Sequence, residues 1–342
     1  MAKSKNRHRR ALIVTLVGYH NFGNSLQNYA LSQVLRKIGF KVKTANYFSL
    51  KHKFYNFLSL RLHLLNPKGE NVRLYNFSKH KIRNDYSRDG SAQLIVVGSD
   101  QVWNPDYLNK NDLPLNTVNT TKKTISYAAS IGKGSLSERE VSLFKKYLHF
   151  YSSISVREMS AKQLLSDKLG LDAKLVLDPT LLLDKASWNK VANSANSATL
   201  PNNKYVLSYV LGKNTDMSQA ISYAKSKGYD YISFSDNEKN TFGVEEFLHL
   251  IRDAELVCTD SYHACIFSYL FDKPFIVYKR DNNEELYSRI TSLFALLEIR
   301  GHEGNKSTIT DKMLLHDYTK SYMRLEKLRD ESYEYIRKAV EG

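Results

Sequence analysis

The chain has 342 residues, 42% of them apolar, and a formal net charge of +15. That length exceeds one ordinary core and suits two domains of roughly 150 residues each, while six prolines and fifteen glycines exclude a low-complexity or collagen-like chain. No apolar run approaches the roughly 18 residues needed to span a bilayer, and the two cysteines, Cys258 and Cys265, lack CxxC spacing and read as buried reduced thiols of a cytosolic protein.

In chain order, residues 1–10 carry the run KSKNRHRR and read as a disordered basic tail. ALIVTLV follows basic residues as the core of a signal peptide does. It is too short, lacks a small-residue cleavage site and runs into a glycine turn, so it reads as a first strand over Leu12 to Val17. After the loop GYHNFGN, apolar residues from Leu26 to Ile38 recur at helical spacing up to the stop at Gly39. A strand follows over Lys41 to Tyr47. Lys51 to Arg88 then holds nine Lys/Arg against two acids. Within it, Phe54, Phe57, Leu58, Leu62 and Leu65 share one helical face flanked by Lys51, Lys53, Arg61 and His63. Such a helix faces either the core or an anionic membrane.

Short buried strands are expected at Leu94 to Val97, Thr124 to Ala129, Ser153 to Val156 and Lys174 to Leu177, with helices from Glu138 to His149 and from Arg157 to Gly170. The polar stretch Ala192 to Asn203 reads as a linker or surface loop. The alternation restarts with strands at Tyr205 to Leu211, Tyr229 to Phe234, Leu256 to Thr259 and Pro274 to Tyr278. Helices are expected over 216–227, 244–254, 263–271, 286–298 and 317–339. This order predicts an α/β protein with parallel sheets and helices on both faces. The bounds are 11–185 for an N-terminal and 186–320 for a C-terminal Rossmann-like domain, with a terminal helix over 321–342 that packs back on the first domain.

In open α/β sheets ligands bind beyond the carboxyl ends of the strands, and the polar signals fall there. The loop from Gly18 to Asn24, holding His20, Asn21 and Gly23, aims backbone N–H groups and a helix N-terminus at an anion, or is simply a tight turn. Gln27 and Asn28 on the first helical turns suit bonding to sugar or phosphate. In Gly98-Ser99-Asp100-Gln101, Gly98 lets backbone approach a ligand and Asp100 could take a proton or a sugar hydroxyl bond. Trp103 stacks on a sugar ring or fills the core. Arg157 offers a fork to a carboxylate or phosphate, or an ion pair to Glu158. Asp260-Ser261-Tyr262-His263 opens a helix, and there His263 titrates near neutrality and donates to an anion. No metal-ligand spacing is present, so no metal is expected. The charge alone suits nucleic acid, acidic lipid or phosphorylated metabolites, but no nucleic-acid-binding signature is present.

Six segments in order resemble the polysaccharide pyruvyl transferase family: GYHNFGNSLQNYAL, VVGSDQVWNP, SYAASIG, SVREMSAKQLL, LDPTLLL and TDSYHACIFSYLFDKPF. The resemblance spans about Leu12 to Phe275. It implies two Rossmann-like domains facing across a cleft, in the manner of the glycosyltransferase-B fold. It also implies phosphoenolpyruvate as co-substrate with no cofactor, and a sugar acceptor in a cell-surface polysaccharide or its lipid-linked oligosaccharide precursor. The product implied is a pyruvate ketal. The basic surface suits a cytoplasmic protein in peripheral contact with the inner membrane face, where the acceptor is presented. A nucleotide-sugar glycosyltransferase of the same shape is the alternative. The family's donor-binding arginine and histidine match Arg157 and His263. Around them we place Ser261, Tyr262, Gly23 and Asn24 at the donor and His20, Asn21, Gln27, Asn28, Ser99 and Trp103 at the acceptor, with Asp100 activating a hydroxyl. Many members carry Arg where this chain has Ser261, and Gly where it has Ala264. Lys133 and Lys279 are candidate replacements for that missing charge.

Overall fold

The computed structural model describes residues 9–17, 21–45, 72–82, 84–85, 91–106, 122–212, 215–234, 242–280, 284–299, 302–304 and 308–341. The basic helix expected over 54–65, and His20, lie outside these residues.

The first half is built on β1 (Arg9–Val14), β2 (Phe40–Ala45), β3 (Asn84–Asp85), β4 (Leu94–Val97) and β5 (Lys123–Ser126). All pairings are parallel, in the spatial order β3-β2-β1-β4-β5. β4 is four buried residues, Leu-Ile-Val-Val, as a strand covered on both faces requires. β6 (Ser155–Val156) and β7 (Lys174–Leu175) extend this edge: Ser126 N–H donates to Ser153 O (3.0 Å) and Ala129 N–H to Ser155 O (3.2 Å). Helices α1 (Phe22–Lys37), α2 (Val72–Phe77), α3 (Glu138–Leu148) and α4 (Met159–Leu169) accompany these strands. α3 starts at a capping box in which Ser137 and Glu140 satisfy each other's N–H groups.

The second half carries α5 (Lys185–Ala192), β8 (Tyr205–Tyr209), α6 (Ser218–Lys227), β9 (Asp230–Phe234), α7 (Val244–Asp253) and β10 (Leu256–Thr259). α8 (Tyr262–Leu270), β11 (Phe275–Val277), α9 (Glu284–Leu297), β12 (His302–Glu303), α10 (Asp311–Leu314) and α11 (Thr319–Glu341) complete it. Its parallel sheet has the order β12-β11-β10-β8-β9. The halves therefore differ in winding. The first reverses direction between β1 and β4, as dinucleotide-binding sheets do, and the second between β8 and β10, the flavodoxin-like pattern. Both reversals open a crevice at the strands' carboxyl ends.

One apolar cluster runs through both halves, from Ile13, Leu26 and Val96 to Phe247, Val257 and Phe267. The joint is aromatic. Phe22 at the start of α1 stacks on Phe247 of α7 with ring centroids 4.9 Å apart. Trp188 of α5 meets Phe267 edge-on at 4.9 Å and leans on Tyr29 of α1 at 5.8 Å. The long α11 returns to the first half, where Leu177 N–H donates to Ser332 Oγ (3.1 Å) and Tyr335 OH to Ser126 O (2.8 Å).

The first strand begins earlier than the sequence predicts. Arg9 and Arg10, assigned to the tail, belong to β1, where the Arg9 guanidinium lies 4.2 Å from the Phe40 ring centroid. Their side chains point outward while the chain is already paired with β2, so charge does not oppose the strand. β1 also ends at Val14, three residues short of expectation.

Candidate active site

The carboxyl ends of β4, β6 and β7 and the N-termini of α1 and α8 meet at one buried cluster. After β4 the chain turns at Gly98 (φ +124°), where a Cβ would sit 2.1 Å from Tyr127 O, so only glycine fits. Asp100 (φ +70°) and Ala128 (φ +50°) hold left-handed conformations that side chains disfavour. Such positions gather where function fixes geometry. Ser130 N–H donates to Asp100 O (2.9 Å), locking the two turns together.

Arg157 stands just past β6 with a side chain only 1% exposed. Its Nε donates to Glu158 Oε1 (2.9 Å), Nη1 to Asp178 Oδ2 (2.8 Å) and Nη2 more loosely to Asp100 Oδ1 (3.4 Å). The guanidinium also lies over the Tyr262 ring, 4.5 Å from its centroid. Each of its three nitrogens is thus bonded to a carboxylate. The expected free clamp is instead a hub that fixes three carboxylates, and removing it would leave them buried without a cation, at a cost of about 3–5 kcal/mol.

Asp178 links this hub to the other half. Its Oδ1 accepts from Thr180 N–H (3.0 Å) and Oγ1 (2.6 Å), and its Oδ2 lies 3.8 Å from His263 Nε2. Burial alone would raise the carboxyl's pKa. The His263 imidazole, the Arg157 guanidinium and the Thr180 bonds together hold it below its ordinary 3.8.

His263 is placed by the turn after β10. Asp260 accepts from the N–H groups of Leu211 and Gly212 (both 2.8 Å) and from Arg280 Nε (2.6 Å), which pins the β8 and β10 ends together. Ser261 then caps α8, accepting from Ala264 N–H at 3.5 Å, and His263 falls in the first turn. Its ring rests on Gly23 of α1, where a Cβ would come within 2.1 Å of Nδ1. The side chain is 9% exposed, and its Nε2 has no hydrogen-bond partner. Burial holds it below its ordinary 6.5, opposed by Asp178 and Asp100 and reinforced by Arg157 and Arg289. A neutral, unpartnered ring nitrogen at a helix N-terminus can accept or deliver one proton.

The expected donor residues Arg157, Ser261, Tyr262, His263 and Gly23 are thus brought together with Asp100, while Asn24 is half-buried on the next position of α1. Of the expected acceptor set only Ser99, among the described residues, reaches the cluster, its hydroxyl 3.5 Å from Asp178 Oδ2. Trp103 is fully buried, edge-on to Phe144 and Tyr151. Gln27 ties two strand ends together, donating to Thr15 Oγ1 (2.8 Å) and accepting from Ser99 N–H (3.1 Å). Asn28 accepts from Thr44 Oγ1 (2.8 Å), and Ser99 is buried, donating to Ala128 O (3.0 Å). These side chains face the sheet, and their polar atoms serve the fold. Asn21 is exposed and caps α1. Neither lysine proposed as a replacement cation joins the cluster: Lys133 pairs with Asp106 (2.7 Å) and Glu140 (3.2 Å), and Lys279 sits over the Tyr287 ring.

Two members escaped the sequence reading. Asp178, inside the segment LDPTLLL, has no role assigned from the sequence. Arg289, on α9, reaches Gln101 from the second half: with the Gln101 amide oxygen turned toward it, Nη1 and Nη2 lie 2.6 and 3.0 Å away. Arg289 Nε is buried without a partner.

Two parallel α/β halves meeting at the carboxyl ends of their strands define a glycosyltransferase-B architecture. The chain shares it with a spinosyn rhamnosyltransferase (12% identity, 98% of this chain and 100% of that chain, TM-score 0.50). More distant likenesses are the UDP-GlcNAc 2-epimerase from Methanocaldococcus jannaschii (13% identity, 92% and 98%, TM-score 0.46) and a glycosyltransferase from Rickettsia africae (11% identity, 98% and 100%, TM-score 0.46). The likeness to the rhamnosyltransferase shows the fold alone. No curated protein matches the chain. The polysaccharide pyruvyl transferase profile matches residues 21–282, a span that contains β4 to β10 and every cluster residue except Arg289. The chain belongs to the polysaccharide pyruvyl transferase family.

Proposed function

We propose that this transferase moves the three-carbon unit of phosphoenolpyruvate onto two hydroxyls of one sugar, in a cell-surface polysaccharide or its lipid-linked precursor, yielding a pyruvate ketal and phosphate. The observation that carries this reading is the buried, unpartnered Nε2 of His263, set at a helix N-terminus and 3.8 Å from Asp178.

The chemistry needs one proton delivered to the donor's methylene carbon, which leaves an electrophilic carbon bearing phosphate and carboxylate. A sugar hydroxyl attacks it, phosphate departs with its bonding pair, and a second hydroxyl closes the ketal. His263 is suited to the first step. Burial keeps it neutral at rest, and an anion arriving beside it offsets that depression, so the ring takes up a proton as the donor binds. Of the two hydroxyl protons released, one restores His263 and the other leaves with phosphate. Asp100, held by the loosest of the three bonds to Arg157, is the carboxylate we assign to receive the first of them. Arg157 positions these carboxylates and does not itself grip the donor.

The acceptor works at a membrane face in this reading, where the basic stretch from Lys51 to Arg88 would favour anionic lipid. Among the described residues no helix is long and apolar enough to cross a membrane.

Donor choice tests the proposal. With a mixture of candidate lipid-linked sugars, we expect phosphate release from phosphoenolpyruvate and none of UDP or GDP from the corresponding nucleotide sugars. Nucleotide release with phosphoenolpyruvate left intact would replace this reading by a glycosyltransferase.

A further inference from the structure

Arg157 and Arg289 occupy the same cluster but in opposite states. Arg157 meets three carboxylates. Arg289 forms no ion pair among the described residues, and its hydrogen-bond contacts go to the neutral amide oxygen of Gln101. Its Nε is buried and unpartnered. Arg289 is half-buried, and a guanidinium partly withdrawn from water without an ion pair is unfavourable; burial, followed by repulsion from Arg157, lowers its pKa against the opposing pull of Glu158 and Asp100. Its helix supplies the reason it stays: Arg289 lies in register with Ile290, Leu293 and Leu297, the buried face of α9, so packing of that face carries the cation inward. Gln101, on the turn after β4, then fixes its direction from the opposite half.

We propose that Arg289 is the anion-gripping residue of this site, closing its fork on a carboxylate or phosphate group of the donor, with Gln101 as the residue that positions it. The inference deepens the reading of a phosphoenolpyruvate-dependent transferase and rests on it for the donor's identity alone. An oxyanion there would take up the free Nε edge, neutralise a cation that forms no ion pair among the described residues, and lie close enough to His263 to raise its basicity. Bidentate pairing of this kind is specific to a planar fork, which a lysine ammonium does not reproduce.

The full-length protein and its R289Q and R289K variants should be compared by calorimetric titration with phosphoenolpyruvate, inorganic phosphate, pyruvate and UDP, and by thermal melting without ligand. We expect R289Q to weaken phosphoenolpyruvate binding by about 30-fold or more, R289K to recover only part of it, and the unliganded R289Q to melt no lower than wild type, because the lost cation forms no ion pair among the described residues. Whether phosphate or pyruvate binding falls in parallel tells which donor group meets the fork. An unchanged affinity for phosphoenolpyruvate in R289Q, with a lower melting temperature, would make Arg289 a structural residue and leave the donor reading intact. If wild type binds UDP but not phosphoenolpyruvate, and R289Q loses UDP, the donor reading fails and the anion site stands. Binding of none of the four ligands by wild type overturns the inference. Should R289Q not fold, R289K against wild type decides by the same comparison.

Discussion

At the scale of single residues, the imidazole at 263 is held by what is missing from residue 23. Any side chain on Gly23 would occupy the volume of the ring, with a Cβ 2.1 Å from Nδ1. Gly23→Ala must therefore push His263 away from Asp178 or shift the start of α1. Overpacking of this kind costs about 1–3 kcal/mol in stability, and displacing a proton-transferring group costs more in rate. General acid–base help is typically worth about 10²–10⁴ in rate. We expect Gly23→Ala and His263→Ala alike to lower turnover by about a hundredfold or more, both retaining a cooperative melt. Turnover near wild type in His263→Ala would remove the ring from the chemistry. The two glycines of the first loop were visible in the sequence, but the partner that makes Gly23 obligatory lies 240 positions away (263 minus 23) and carries no local mark.

At the scale of elements, the positions of the strands followed from their composition, because parallel strands buried on both faces write themselves as short continuous apolar runs. β4 and β10 fall where the runs Leu94 to Val97 and Leu256 to Thr259 place them. Side-chain direction was less legible. Gln27, Asn28, Ser99 and Trp103 all lie at the correct end of the sheet, yet they turn inward to bind strand ends or fill the core. Arg289 illustrates the converse: it sits on an apolar helical face, and a cation at such a register position is a signal available in sequence and easily passed over. The start of α1 also carries the joint between the halves through the stacked rings of Phe22 and Phe247. Phe22→Ala should cost about 3–5 kcal/mol by chemical denaturation. A loss below about 1 kcal/mol would mean that the stacked rings contribute little beyond contact.

At the scale of the whole molecule, the apolar cluster common to both sheets and the return of α11 onto the first half tie the two halves of the chain together. Its stability should depend on acid in two windows. His263 has a folded pKa below 6.5, so the unfolded chain binds that proton more readily, and stability declines as pH falls from above 6.5 through the folded value. Asp178 is held below 3.8, so its contribution is intact above that value and is lost as pH falls through the folded one. Denaturation midpoints of wild type should therefore drop between pH 8 and pH 5, and His263→Gln should flatten that part of the profile. An identical slope in the variant would assign the effect to other groups.

The proposed reaction requires a proton to reach the methylene carbon of phosphoenolpyruvate while its phosphate leaves, and turnover in deuterium oxide reads that event directly. The new ketal should carry one solvent deuterium in its methyl group for each phosphate released. A ketal methyl group free of deuterium, or a product in which the pyruvyl group is absent, would contradict it.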